Sequence, residues 1–191
     1  LAEGAYEKLD RNGDGKIGYI MLRADLDNPE ANGRTTYSIQ EANRLLVENN
    51  KPELQIVGTE LMASWSTARA KELFDAVVAN KEQFDQVDFV FANNDDMAIG
   101  AIQSLNTVGF NTKGGENYIP VLGVDATAVA QSFIKDGQMS GSILQDGVAM
   151  AKSLAAFINN TALGNSFTHN TDYVYETGVN KVRIPYAKYI G

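Results

Sequence analysis

Between residues 87 and 92 the chain reads Val-Asp-Phe-Val-Phe-Ala, a nearly unbroken apolar run set between two stretches of helical periodicity. A strand of that composition needs cover on both faces, as strands inside a helix-layered parallel sheet have. The rest of the chain repeats the alternation. Strands are expected at 17–23, 54–60, 87–92, 118–124 and 140–144. Helices are expected at 34–48, 66–79 (capped by Ser66 or Thr67), 95–107, 126–136 and 146–160. Two further strand-like runs, 172–178 and 181–186, are split by Val179 and Asn180, and the opening LAEGAYEKL has helical spacing. The order βαβαβαβ predicts an α/β fold built on a doubly wound parallel sheet. With 191 residues, 44% of them hydrophobic, the chain can bury a sizeable core.

Ahead of the first strand, residues 10–18 read Asp-Arg-Asn-Gly-Asp-Gly-Lys-Ile-Gly. Oxygen-bearing side chains at alternate positions and a glycine at the sixth are what an oxygen-ligating calcium loop requires. Asp10, Asn12 and Asp14 would supply side chains and Lys16 its carbonyl. A helix-loop-helix calcium loop closes with a glutamate at the twelfth position, but Met21 stands there inside a strand-like run, so a closing carboxylate must come from elsewhere. The alternative is a solvated Asp/Asn/Gly turn.

Sixteen basic against 24 acidic residues give a net charge of −8, a poor footprint for nucleic acid or an anionic membrane. No window is long and apolar enough to span a bilayer. The absence of cysteine excludes a thiol nucleophile and Cys-ligated zinc. His169, the one histidine, lies in a polar loop, and no G-x-S-x-G, G-x-G-x-x-G or G-x-x-x-x-G-K-[ST] motif occurs, which argues against the common hydrolase and nucleotide-dependent classes. The Asp95-Asp96 pair is a weak glycosidase signal, because adjacent residues at a helix start point apart.

In open doubly wound sheets ligands sit beyond the carboxyl ends of the strands. Asp25-Leu26-Asp27-Asn28-Pro29-Glu30, with Arg34 one turn later, follows the first expected strand, Trp65 the second, Asn93, Asn94 and Asp95 the third, Asp125 the fourth, and Gln145 with Asp146 the last. Such a set suits a sugar. Each hydroxyl both donates and accepts, so carboxylates, a guanidinium and amides answer it while an indole covers the C–H face of the ring. Helix caps, solvated side chains and ordinary core packing are the alternative roles for these residues.

The blocks DRNGDGKIGY, NPEANGRTTY, MASWSTARAKE, FVFANNDDMAIGAI, PVLGVDA and KVRIPY, in this order, resemble the periplasmic galactose/glucose-binding protein family of bacterial ABC transporters. The resemblance implies a Rossmann-like lobe of a type I periplasmic binding protein. Residues 1–144 and 181–191 would form the carboxy-terminal lobe, and 145–180 would form a hinge segment with a helix and strand crossing to a partial amino-terminal lobe. It also implies a non-enzymatic monosaccharide receptor outside the cytoplasm, periplasmic or lipid-anchored, closing on galactose or glucose. A membrane permease, and a chemoreceptor beside it, would be its partners. Sugar contacts fall on Arg34, Trp65, Asn94 and Asp125. Three further positions depart from the family pattern: Asn28 stands for a histidine, Glu30 for an aspartate and Gln145 for an asparagine, which opens the pocket to another monosaccharide. A structural calcium ion would take Asp10, Asn12, Asp14 and the Lys16 carbonyl, closed by Asp88 where the family carries glutamate, with Gly18 in place of an oxygen-donating glutamine. The ligand-sensing core of a sugar-responsive repressor shares this architecture and is the second reading.

Overall fold

The computed structural model describes residues 4–179 and 181–191. In chain order its elements are α1 (Ala5–Leu9), β1 (Gly18–Arg23), α2 (Pro29–Glu48), β2 (Gln55–Ile56), β3 (Leu61–Met62), α3 (Thr67–Ala79), α4 (Lys81–Phe84) and β4 (Phe89–Ala92). They continue with α5 (Asp95–Thr107), β5 (Val121–Asp125), α6 (Ala128–Lys135), β6 (Gly141–Leu144), α7 (Gly147–Ala162) and β7 (Ala187–Tyr189). One mostly parallel sheet runs β2-β1-β4-β5-β6-β7, with β3 also paired to β1; only β7, antiparallel to β6, breaks the direction. The chain leaves β1 toward β2 and β3 on one side and returns to β4 on the other. The strand order therefore reverses between β1 and β4, and a crevice opens at their carboxyl ends.

Both faces of β1 and β4 are buried, as their composition demands. Ile20, Leu22, Val90 and Ala92 join Phe74, Ile102 and Leu105 in the larger cluster under α3 and α5. Tyr19, Met21 and Phe89 point the other way, against Tyr6, Ile17 and Leu46. Gly100 lets α5 lie directly on α3: a Cβ there would sit 2.4 Å from the Thr67 carbonyl oxygen.

Several boundaries differ from the sequence reading. The helix expected from residue 34 begins at Pro29, because the Asn28 side chain accepts the Glu30 and Ala31 amides and proline at the first helical position needs no partner. Of the strand expected over 54–60 only β2 is formed; a bend with Gly58 at φ 79° follows, and β3 pairs just beyond it. The runs 172–178 and 181–186 form no ladder. Among the described residues they share one bridge, Tyr175–Val182, and the Arg183–Glu176 ion pair, Pro185 offers no amide to a neighbour, and the closing strand lies at 187–189 instead. Of the expected split between these runs, Asn180 lies outside the described residues, as do the first three residues of the expected opening helix.

Candidate functional site

The carboxyl ends of β1, β3, β4, β5 and β6 share one edge, and polar side chains gather there around Arg34. Its Nη1 donates to the Asn93 carbonyl at 2.7 Å, and its Nη2 lies 3.4 Å from Asp125 Oδ1. The guanidinium stands 5.7 Å over the Trp65 ring, whose Nε1 donates to Asp25 at 3.2 Å. The Arg34 side chain is 10% exposed, and its Nε is buried with no hydrogen-bond partner among the described residues. Burial pushes the Asp125 carboxyl above the ordinary range; Arg34 opposes this, while Asp95 and Asp96 reinforce it.

Asn93 fixes the floor. It is fully buried, its Oδ1 accepts the Ala24 amide at 3.0 Å and its Nδ2 donates to Thr35 Oγ1 at 2.9 Å. One side chain thus ties the end of β4 to the end of β1 and to α2. Backbone strain collects at the same edge: Ser64, Trp65, Asp125 and Ala126 lie at φ 46°, 64°, 113° and 52°, outside glycine's company. Each such residue costs on the order of 1–3 kcal/mol, which the surrounding packing must hold in place.

The remaining candidates are placed differently. Asn28 and Asn94 spend their side-chain oxygens capping α2 and α5; Asn94 Oδ1 accepts the Met97 amide at 3.0 Å, leaving its NH₂ as the end that can donate outward. Glu30 and Gln145 meet through a residue that the sequence reading left out, Tyr186. Its hydroxyl donates to Glu30 Oε2 at 3.3 Å and accepts from Gln145 Nε2 at 3.4 Å and Arg34 Nη2 at 3.5 Å. Tyr186 also belongs to the wall of a hollow shared with Glu30, Gln145, Asp146 and Arg183. Its only sequence signal was a place in KVRIPY, a run read as strand. Asp25, a member of the strand-end group after the first strand, is the indole's acceptor.

The loop at 10–18 stands apart from this edge. Asp10 Oδ1 accepts the amides of Gly13 and Asp14 at 2.8 and 3.1 Å, and its Oδ2 that of Gly15 at 2.8 Å. Asn12 accepts from the Asp14 amide and Asp14 from that of Lys16, while Gly13 and Gly15 supply the positive φ the coil needs. Asp88 is buried, and each of its oxygens accepts one amide at 2.7 Å, from Arg11 and Gly18. Burial raises its pKa, opposed by those two hydrogen bonds. The loop half of the donor set suits a hard cation, since its carboxylates keep lone pairs beyond the amides they accept. The closing half fits less well. Asp88 is committed to backbone donors, and among the described residues no three acidic or histidine side chains stand close enough to hold a metal. Position 18 cannot contribute a side chain, because a Cβ there would meet the Gln86 carbonyl oxygen at 1.9 Å.

The family model "Periplasmic binding protein domain" matches residues 1–166. The D-galactose/methyl-galactoside binding periplasmic protein MglB of Haemophilus influenzae is 34% identical over 179 residues, 94% of this chain and 49% of that protein. A putative rhizopine-binding protein of Rhizobium meliloti is 30% identical over 73% of this chain and 41% of its own length. Among solved structures, an ABC transporter solute binding protein from Bacillus halodurans with bound myo-inositol superposes with a TM-score of 0.67 at 21% identity, covering 97% of this chain and 55% of that one. The chain spans about half the length of the curated relatives it matches. A family match over most of the sequence, a sheet whose order reverses at the crevice and a polar edge built from successive strand ends agree: the chain belongs to the periplasmic binding protein domain family.

Proposed function

We propose that this chain supplies one wall of a monosaccharide-binding cleft in an extracytoplasmic receptor that delivers its ligand to an ABC transporter permease, without turning it over. The observation that carries the reading is the Arg34 guanidinium, held over the Trp65 ring and beside the Asp125 carboxylate where the strand order reverses. A pyranose stacked on the indole would present hydroxyls to Arg34, Asp125 and the Asn94 amide, with Glu30, Gln145 and the Asn28 cap region at the rim. Sugar and polyol ligands in the names of the relatives support the chemistry. Galactose or glucose is the first choice, and a chemoreceptor is a second partner under the same reading. The test is calorimetric titration of the complete polypeptide containing residues 1–191 against a panel of monosaccharides, with product analysis. Binding of one or more sugars without conversion is expected; turnover, or no binding across the panel, overturns it.

Calcium belongs to the same proposal, held by Asp10, Asn12, Asp14 and the Lys16 carbonyl, with water filling the place of a bidentate closing group and Asp88 bracing the coil through its two amides. At free calcium one hundred times the dissociation constant, the melting free energy should rise by about 2.7 kcal/mol. Thermal melts in calcium and in chelator measure this directly, and superimposable curves would remove the ion from the picture.

A further inference from the structure

We infer that Asp95 is a positioning residue for the ligand-facing carboxylate of Asp125, acting through the strained turn at 125–127. This rests on the reading that Asp125 contacts ligand. Asp95 opens α5 and is fully buried. Its Oδ2 accepts the Thr127 amide at 2.7 Å and its Oδ1 accepts the Ser142 hydroxyl at 2.6 Å. Ser142 Oγ in turn accepts the Ala126 amide at 3.0 Å. Two consecutive amides of the turn are therefore held, one directly and one through a hydroxyl, by a single carboxylate.

The turn needs such a clamp. Asp125 and Ala126 lie at φ 113° and 52°, backbone that neither residue adopts unforced, and Thr127 must cap α6 immediately afterwards. Released from Asp95 and Ser142, the chain would relax toward ordinary φ values and swing the Asp125 side chain away from Arg34. The neighbourhood is shaped around the clamp: a Cβ at Gly123 would come within 2.5 Å of Asp95 Oδ1, so β5 passes the carboxylate with hydrogen only. As the first residue of α5, Asp95 also has the positive end of the helix dipole to support its charge.

The groups facing Asp125 are Arg34 on α2 and the carboxylates Asp95 and Asp96 on α5. Asp95 thus acts on Asp125 in two ways, by fixing its backbone and by placing a negative charge beside it. The second effect is one that mere structural support would not produce. Ligand binding needs Asp125 as an ionised acceptor, so affinity should fall as acidity protonates it. Removing the neighbouring charge should move that acid limb to lower pH.

Asp95→Asn keeps the shape but loses the charge and one of the two acceptors. Its expected phenotype is an affinity loss of about tenfold or more, an acid limb shifted to lower pH, and a melting curve close to that of the parent. Ser142→Ala releases only the Ala126 amide. It should weaken binding while leaving the acid limb where it was, and it carries the test if Asp95→Asn does not fold. Carbon-detected NMR titration of the Asp125 carboxyl in ligand-free protein completes the set, with a lower midpoint expected in Asp95→Asn. Unchanged affinity with an unchanged limb in a folded Asp95→Asn overturns the inference. A parent protein that binds no sugar refutes the functional reading instead, and the NMR midpoint then decides the positioning claim alone.

Discussion

Replacing Arg34 with methionine should lower ligand affinity by about 2–4 kcal/mol, roughly 30- to 1,000-fold, the range for truncating a buried, hydrogen-bonded charge. The methionine keeps most of the stem that fills the space beside Trp65 but removes the donor to the Asn93 carbonyl and the partner of Asp125. Asp125 would then be left half-buried beside Asp95 and Asp96 with no opposing cation, and its already raised pKa should climb further. Affinity in the variant should consequently deteriorate faster on acidification than in the parent. Lysine at this position should not rescue binding, since a point charge on a flexible stem cannot reproduce the planar fork that reaches two acceptors while lying over an indole. Calorimetry of both variants checks this. A loss of less than about threefold would show that the guanidinium is not the centre of the site.

Phe74→Ala should be the most damaging simple truncation in the core. Phe74 is fully buried on α3 in the cluster beneath β1 and β4, where α5 is drawn close by Gly100. Deleting a buried phenyl costs about 3–5 kcal/mol when its surroundings cannot collapse into the space. For a chain of this length that corresponds to a fall of roughly 6–20 °C in melting midpoint. Two close-lying helices on a twisted sheet leave little freedom to collapse, which favours the upper half of the range. Denaturant unfolding of the parent and the variant measures the difference, and a loss below about 1 kcal/mol would mean the cluster repacks. Phe157 offers the contrast. It lies on α7, stacked on Phe167 and edge-on to Tyr173, outside the two main clusters, so Phe157→Ala should cost far less.

The layered architecture was legible because it rests on periodicity. Continuous apolar strands such as 87–92 and helices of regular spacing admit few arrangements, and in a parallel sheet every strand delivers the residue after its carboxyl end to the same edge. That is why Arg34, Trp65 and Asp125 meet in the structure although the chain separates them by dozens of residues. What escaped the sequence depended on partners rather than pattern. The runs 172–178 and 181–186 alternate well enough to read as strands, but a strand exists only against a neighbour, and they find a single bridge. Asp88 and Asp95 stand out in the sequence by position and resemblance, but nothing there marks them as buried. Their burial appears only when the amides of Arg11, Gly18 and Thr127 are seen to converge on them. Tyr186 reaches Glu30 across 156 positions, a distance no local spacing encodes.

The outward face of α7 has a practical consequence. Val148, Leu154 and Ile158 are 65%, 59% and 70% exposed along it, in company with Leu163 and Phe167 further on. A stripe of this kind invites self-association, so a solution of the isolated 191 residues should show light scattering that grows with concentration and subsides when serine or glutamate replaces the aliphatic side chains there. Handling conditions tuned to that one helix would then govern how much material reaches any titration.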